Sequence, residues 1–130
     1  MADAVDVDHC ATPEWLYKAL DAEFRFDLDP CPLTVSPQRD GLALDWTGRR
    51  VFCNPPYSKI EPWVQKAFDS QALTVFLVPG RIDAKWSRIL REGGATLRPF
   101  CRTVNFEGLD GKRHKPMGGS MVAIVNRLYK

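Results

Sequence analysis

Arg50-Val51-Phe52-Cys53-Asn54-Pro55-Pro56-Tyr57 is the stretch on which the reading of this chain turns. Val51 and Phe52 favour a strand. The run stops at two successive prolines, which fix φ and carry no N–H. Pro55 also pushes Asn54 towards extended backbone. The stretch therefore reads as a short strand, 50–53, delivering a rigid turn at its carboxyl end. A second apolar run, 74–78, is bounded by Pro79-Gly80, as expected for a strand buried on both faces. Between them Ser58-Lys59-Ile60-Glu61 resembles a capping box, with Pro62 as the alternative first helical residue. Trp63, Val64, Ala67 and Phe68 give that helix its apolar face. Strand, helix, strand is the signature of a parallel α/β sheet.

Working outward, Thr12-Pro13-Glu14 opens an earlier helix, with Thr12 as N-cap and Pro13 first in the helix. Leu16, Ala19, Leu20 and Glu23/Phe24 follow at near-helical spacing. Residues 25–28 read as a short strand ending at Asp29-Pro30. Residues 30–48 hold Pro30, Pro32, Pro37, Gly41 and Gly48 and read as a loop region with one short helical turn. Asp83 can cap a third helix carrying Trp86, Ile89 and Leu90, which Gly93-Gly94 ends. Strands are expected near 95–100, 103–107 and 121–125. The segment 108–120 reads as a mobile basic loop. The fold expected is an α/β Rossmann-like sheet of abbreviated form, mostly parallel with an antiparallel C-terminal edge. In such sheets ligands bind beyond the carboxyl ends of the strands, where Asp29-Pro30 and the Asn-Pro-Pro-Tyr turn both fall.

The turn has a chemistry of its own. The Asn54 side-chain oxygen and the Pro55 carbonyl can accept both hydrogens of a planar amino group. Such a nitrogen is a poor nucleophile because its lone pair is delocalised, and two fixed acceptors localise that pair. Pro55 and Pro56 hold the acceptors in place beforehand. Tyr57 offers a flat face on which a base can stack. This combination suits methylation of an aromatic-type amino group, with Asn54, Pro55, Pro56 and Tyr57 as the catalytic set. The alternative is a Pro-Pro turn that closes a strand, with Asn54 making a local bond and Tyr57 half-buried.

The 130 residues fit one domain, 1–130, with residues 1–10 as a loose acidic lead-in. Hydrophobic residues at 45% and charged residues at 26% are ordinary for a soluble protein, and no apolar run reaches membrane-spanning length. The acidic start, Asp3, Asp6 and Asp8, differs from a signal or transit peptide, so a cytoplasmic location is expected. Cys10, Cys31, Cys53 and Cys101 form no C-x-x-C pair, and His9 and His114 lie far apart, so no metal is expected. Residues 1–80 carry 7 Lys or Arg against 12 Asp or Glu, net −5, and residues 81–130 carry 11 against 4, net +7. Unless folding interleaves the halves, one face suits a polyanion and another a cationic cofactor.

Five segments, in order, resemble the phage-type DNA N6-adenine methyltransferases of the small Dam-like family. They are Thr12-Pro13-Glu14-Trp15-Leu16, Phe26-Asp27-Leu28-Asp29-Pro30-Cys31, Val51-Phe52-Cys53-Asn54-Pro55-Pro56-Tyr57-Ser58, Leu77-Val78-Pro79-Gly80-Arg81-Ile82-Asp83-Ala84-Lys85-Trp86 and, more weakly, Arg102-Thr103-Val104-Asn105-Phe106. The resemblance implies S-adenosylmethionine as methyl donor, with Thr12 and Pro13 near its amino-acid end. It places Asp29, Pro30 and Cys31 where related enzymes carry an Asp-Pro-x-x-Gly-x-Gly loop, with Asp29 facing the cofactor's ammonium or sulfonium. This chain departs from that pattern: Pro32-Leu33-Thr34 follows instead, and 24 residues separate Asp29 from Asn54. Asp40 and Asp45 are both candidates for the cofactor ribose. If the protein is phage-encoded, its compartment is the host cytoplasm.

DNA is the expected partner. The chain leaves no room for a separate target-recognition domain, so Arg81, Lys85, Arg88, Lys112, Arg113 and Lys115 are expected to touch mainly phosphates. For Arg81 and Lys85 the alternative is a solvated helix start. Three other functions compete: a non-catalytic nucleic-acid-binding protein on a degenerate methyltransferase fold, and a methyltransferase acting on RNA adenine or on a protein glutamine amide.

Overall fold

The computed structural model describes residues 12–31, 41–81, 83–99, 106–107, 113–114 and 120–128. Its elements in chain order are α1 (Glu14–Phe24), a 3-10 turn (Gly41–Ala43), β1 (Arg50–Cys53), α2 (Glu61–Asp69), β2 (Leu73–Pro79), α3 (Lys85–Glu92), β3 (Thr96–Pro99), β4 (Phe106–Glu107), β5 (Arg113–His114) and β6 (Ser120–Asn126). β4 and β5 pair with each other, apart from the main sheet.

The main sheet has the order β1-β2-β6-β3. β1 and β2 are parallel, with Arg50 opposite Leu73 and Cys53 opposite Phe76. β6 is antiparallel to both β2 and β3. It follows that β1, β2 and β3 point the same way and only β6 is reversed. The sheet is mixed. The reversed strand, expected at the edge, lies one position in, and β3 forms the edge.

Alternation along the strands splits the core into two faces. Leu73, Val75 and Leu77 of β2 pack with Phe52 of β1 and with Leu16, Leu20 and Phe24 of α1. Phe76 and Val78 pack with Val51, Cys53 and the buried side chains of α2 and α3. α1 therefore covers one face, and α2 and α3 the other. β2 is buried along its whole length, as a strand covered on both faces must be. Burying each large apolar side chain of α1 contributes about 1.5–3 kcal/mol, which outweighs any cap in holding the helix to the sheet. Arg98 of β3 adds a bidentate pair to Glu23 of α1 at 2.7 and 2.6 Å.

The strand expected over 25–28 is reduced to a single parallel bridge, Leu28 to Val51. α1 ends at Arg25, whose φ of 54° is left-handed. Asp27 then occupies the ladder with its side chain: Arg50 N donates to Asp27 Oδ1 at 2.9 Å, while Asp27 N donates to Arg50 O at 2.8 Å. A carboxylate replaces one backbone acceptor and regular pairing is lost.

All three expected caps are displaced. Pro13, not Thr12, is the N-cap of α1. α2 begins at Glu61 behind Ile60, with Pro62 in its first turn, so no capping box forms at Ser58. Ala84 precedes α3, and Asp83 instead pairs with Arg81. The glycine end of α3 is as expected, with Gly94 at φ +85°. The strand expected over 103–107 is described only as β4, and the loop 108–120 only at Arg113, His114 and Ser120.

Candidate active site at the strand ends

The topology brings distant parts of the chain to one rim. The Leu28–Val51 bridge is parallel, so Asp29 leaves the sheet on the same side as Asn54. The parallel β1–β2 pair puts Gly80 and Arg81 on that side too. β6 begins there, because Ser120 lies opposite Pro79.

Asn54 follows β1 and is half-buried. Its Nδ2 donates to Thr12 Oγ1 at 3.0 Å. This bond explains why Thr12 does not cap α1: its hydroxyl is used across the fold. It also orients the amide, because the NH2 branch faces Thr12 and Oδ1 lies on the opposite branch. Pro55 is buried, and Lys59 N donates to Pro56 O at 3.0 Å, closing the turn over 56–59. Tyr57 is half-buried and packs against both core clusters, so its ring spans the end of the sheet.

Asp29 is half-buried, and its Oδ1 accepts from Cys31 N at 3.1 Å. That is the local turn bond available to any Asp before Pro, yet the carboxylate also acts at a distance. After burial and Asp21, Asp29 is the third cause raising the Tyr17 phenol. Burial first, then Cys31 and Asp29, pushes the Cys53 thiol well up and keeps it neutral. The parallel Leu28–Val51 bridge sets Asp29 beside the strand end that carries Cys53 and Asn54, where a carboxylate would favour a cationic group. Pro30 is fully buried. Gly41 seats it: a Cβ on Gly41 would lie 1.9 Å from Pro30 O. Trp46 Nε1 donates to Gly41 O at 3.1 Å and completes the support.

The other expected residues are more scattered. Asp45 is exposed and accepts from Thr47 N at 2.9 Å, in the turn leading into the amino end of β1. The structure therefore does not bring it to the rim. Asp40, Lys112 and Lys115 lie outside the described residues, and of Arg113 only its backbone pairing in β5 is described. Arg81 pairs with Asp83 and Lys85 with Glu61, each at 3.4 Å and exposed. Such pairs hold their partners weakly. Arg88 is exposed on α3.

A protein-family model described as DNA N-6-adenine-methyltransferase (Dam) matches residues 2–101. The chain belongs to this family. The Dam match takes in α1, β1, α2, β2, α3 and β3, and with them Thr12, Asp29, Asn54 and Arg81. The basic residues 112–115 and β6 lie beyond it. A DNA N-6-adenine-methyltransferase of Haemophilus phage HP1 (strain HP1c1) is 35% identical over 78 residues, covering 52% of this chain and 45% of the phage protein. The chain thus spans about half the length of that Dam relative. No solved structure matches it.

Two residues of α1, which begins at this rim, were given no role in the reading of the sequence. Tyr17 packs edge-on to Phe52 at 5.1 Å and stands within electrostatic reach of Asp29. Trp15 is exposed in the first turn of α1. Ala19, one turn further on and expected in the apolar stripe, is exposed with it, so the buried side of α1 is narrowed to Leu16, Leu20 and Phe24. Among the described residues no three His, Cys, Asp or Glu side chains are grouped to hold a metal ion, and no helix is long and apolar enough to cross a membrane.

Proposed function

We propose that this chain transfers a methyl group from S-adenosylmethionine to the N6 amino group of adenine in DNA. The observation that carries the reading is the orientation of the Asn54 amide by Thr12 at the end of β1. It turns an acceptor away from Thr12 on a segment whose prolines cannot relax. Residues 1–130 are read as one methyltransferase domain, with three co-directional strands and their helices as an abbreviated Rossmann-like frame.

S-adenosylmethionine supplies an electrophilic methyl on a sulfonium. N6 would take that methyl with its lone pair, leaving the donor a neutral thioether, and would give up one proton to water. Asn54 Oδ1 and the Pro55 carbonyl accept the two N6 hydrogens and localise the lone pair. Pro56 holds the turn, and Tyr57 stacks on the flipped adenine. Thr12, Pro13, Asp29, Pro30 and Cys31 would hold the cofactor, with the Asp29 carboxylate facing its positive charge. The buried seat of Pro30 on Gly41 suits this role, because it fixes Asp29 without a glycine loop. Of the two ribose candidates, Asp40 and Asp45, Asp45 lies at the amino end of β1, away from this rim. Arg81, Lys85, Arg88, Lys112, Arg113 and Lys115 meet phosphates.

Calorimetric titration with S-adenosylmethionine, repeated on Asp29→Asn, tests the cofactor half of the proposal. Saturable binding by the parent, weakened in the variant, is expected. No binding near millimolar cofactor would favour a non-catalytic nucleic-acid-binding protein instead.

A further inference from the structure

Trp15 takes no part in either core cluster. Among the described residues it is the large apolar side chain left exposed, at 57%. Leu16, Leu20 and Phe24 of the same helix are buried, so the side of α1 that carries Trp15 is fixed by packing. Four residues on, Ala19 is too small to cover the indole, and Lys18 is drawn to Glu14 at 2.7 Å. Helical side chains tilt towards the amino end of their helix. For Trp15 that is the end where Thr12 bonds to Asn54. An exposed indole therefore leans towards the rim that carries the Asn-Pro-Pro-Tyr turn.

We infer that Trp15 is a nucleic-acid contact, stacking its indole on a base of the strand that flanks the target adenine. This rests on the proposed reaction with DNA. Extruding one base from a duplex exposes the faces of its neighbours, and an aromatic ring at the mouth of the site can cover one. Stacking of this kind tolerates any base, so it adds affinity without adding sequence preference.

The test is binding of a fluorescent adenine-containing duplex, by anisotropy, to the parent, Trp15→Ala and Trp15→Phe, with cofactor affinity measured alongside. The expected result is that Ala weakens DNA binding roughly tenfold, within the usual worth of one base stack, while cofactor affinity is unchanged. Phe should restore most of the loss. DNA should also shield the parent from acrylamide quenching more than it shields Trp15→Phe, in which Trp46 and Trp63 are buried and the half-buried Trp86 supplies the background to be subtracted. A parent that binds no DNA would overturn the proposed reaction and this inference together. A parent that binds, with Trp15→Ala binding equally well, would overturn only the role of Trp15.

Discussion

Thr12 and Asn54 lie 42 positions apart and meet through a 3.0 Å hydrogen bond from Asn54 Nδ2 to Thr12 Oγ1. The bond ties the start of α1 to the end of β1. Thr12→Val removes the acceptor and keeps the shape. We expect a stability loss of about 0.5–1.5 kcal/mol, the usual worth of such a bond. We also expect turnover to fall about tenfold through misorientation of the amide, with Thr12→Ser close to the parent. Parent-like turnover in Thr12→Val would show that Asn54 is oriented by something else.

Asn54→Ala deletes the acceptor itself. Its expected cost is roughly 10²–10³ in kcat, the scale for one preorganised polar contact to a transition state. Folding and cofactor affinity should stay near those of the parent, since Asn54 is only half-buried. Steady-state kinetics that show turnover within threefold of the parent would remove Asn54 from the chemistry.

Gly41→Ala tests the support beneath Asp29. The added methyl would meet the Pro30 carbonyl carbon at 2.7 Å and its oxygen at 1.9 Å, and backbone cannot yield cheaply at such distances. Overpacking of this kind costs about 1–3 kcal/mol. We expect a lower denaturation midpoint and weaker cofactor binding. Unchanged values for both would mean that the Pro30 turn has slack.

The Cys53 thiol sets a pH dependence. Burial raises its folded value above its unfolded one, so in alkali the unfolded chain gives up this proton first. The contribution is level below the unfolded value and then lowers stability as pH rises, by at most about 1.4 kcal/mol per pH unit. Urea unfolding between pH 7 and 10 should show a steeper alkaline decline in the parent than in Cys53→Ala. Equal slopes would contradict the assignment.

Charge neutralisation tests the phosphate-binding role of the basic residues. Arg81→Gln with Arg88→Gln should reduce the slope of log K against log salt by about 0.9 for each phosphate that the variant no longer neutralises. Unrelated duplexes should weaken by similar factors. An unchanged slope, measured by anisotropy across a salt series, would take both residues out of the interface.

What the sequence made legible was the part determined by local burial. The unbroken apolar run now seen as β2 calls for cover on both faces, and the stripes on α1 and α2 are periodic patterns that supply it. The caps were misread because Thr12 and Asp83 have local preferences that distant or neighbouring partners override. The bridge at Leu28 was read as a strand because nothing local reveals that Asp27 turns its carboxylate into the ladder. The place of β6 inside the sheet follows from pairing across some fifty residues with Leu73–Pro79, which no window of sequence reports. At the site, the Asn54 turn was readable because two prolines constrain it by themselves. Asp45 was misplaced although its position, five residues before Arg50, already puts it near the amino end of β1.

The central claim is the identity of the modified atom, and one measurement reaches it directly. Unmethylated duplex DNA is incubated with the protein and S-adenosylmethionine, digested to nucleosides, and analysed by mass spectrometry. The expected product is N6-methyladenine, formed by the parent and reduced to near background by Asn54→Ala. DNA that returns with no methylated nucleoside, from a protein that binds the cofactor, or a methyl group found on cytosine N4 instead, would contradict it.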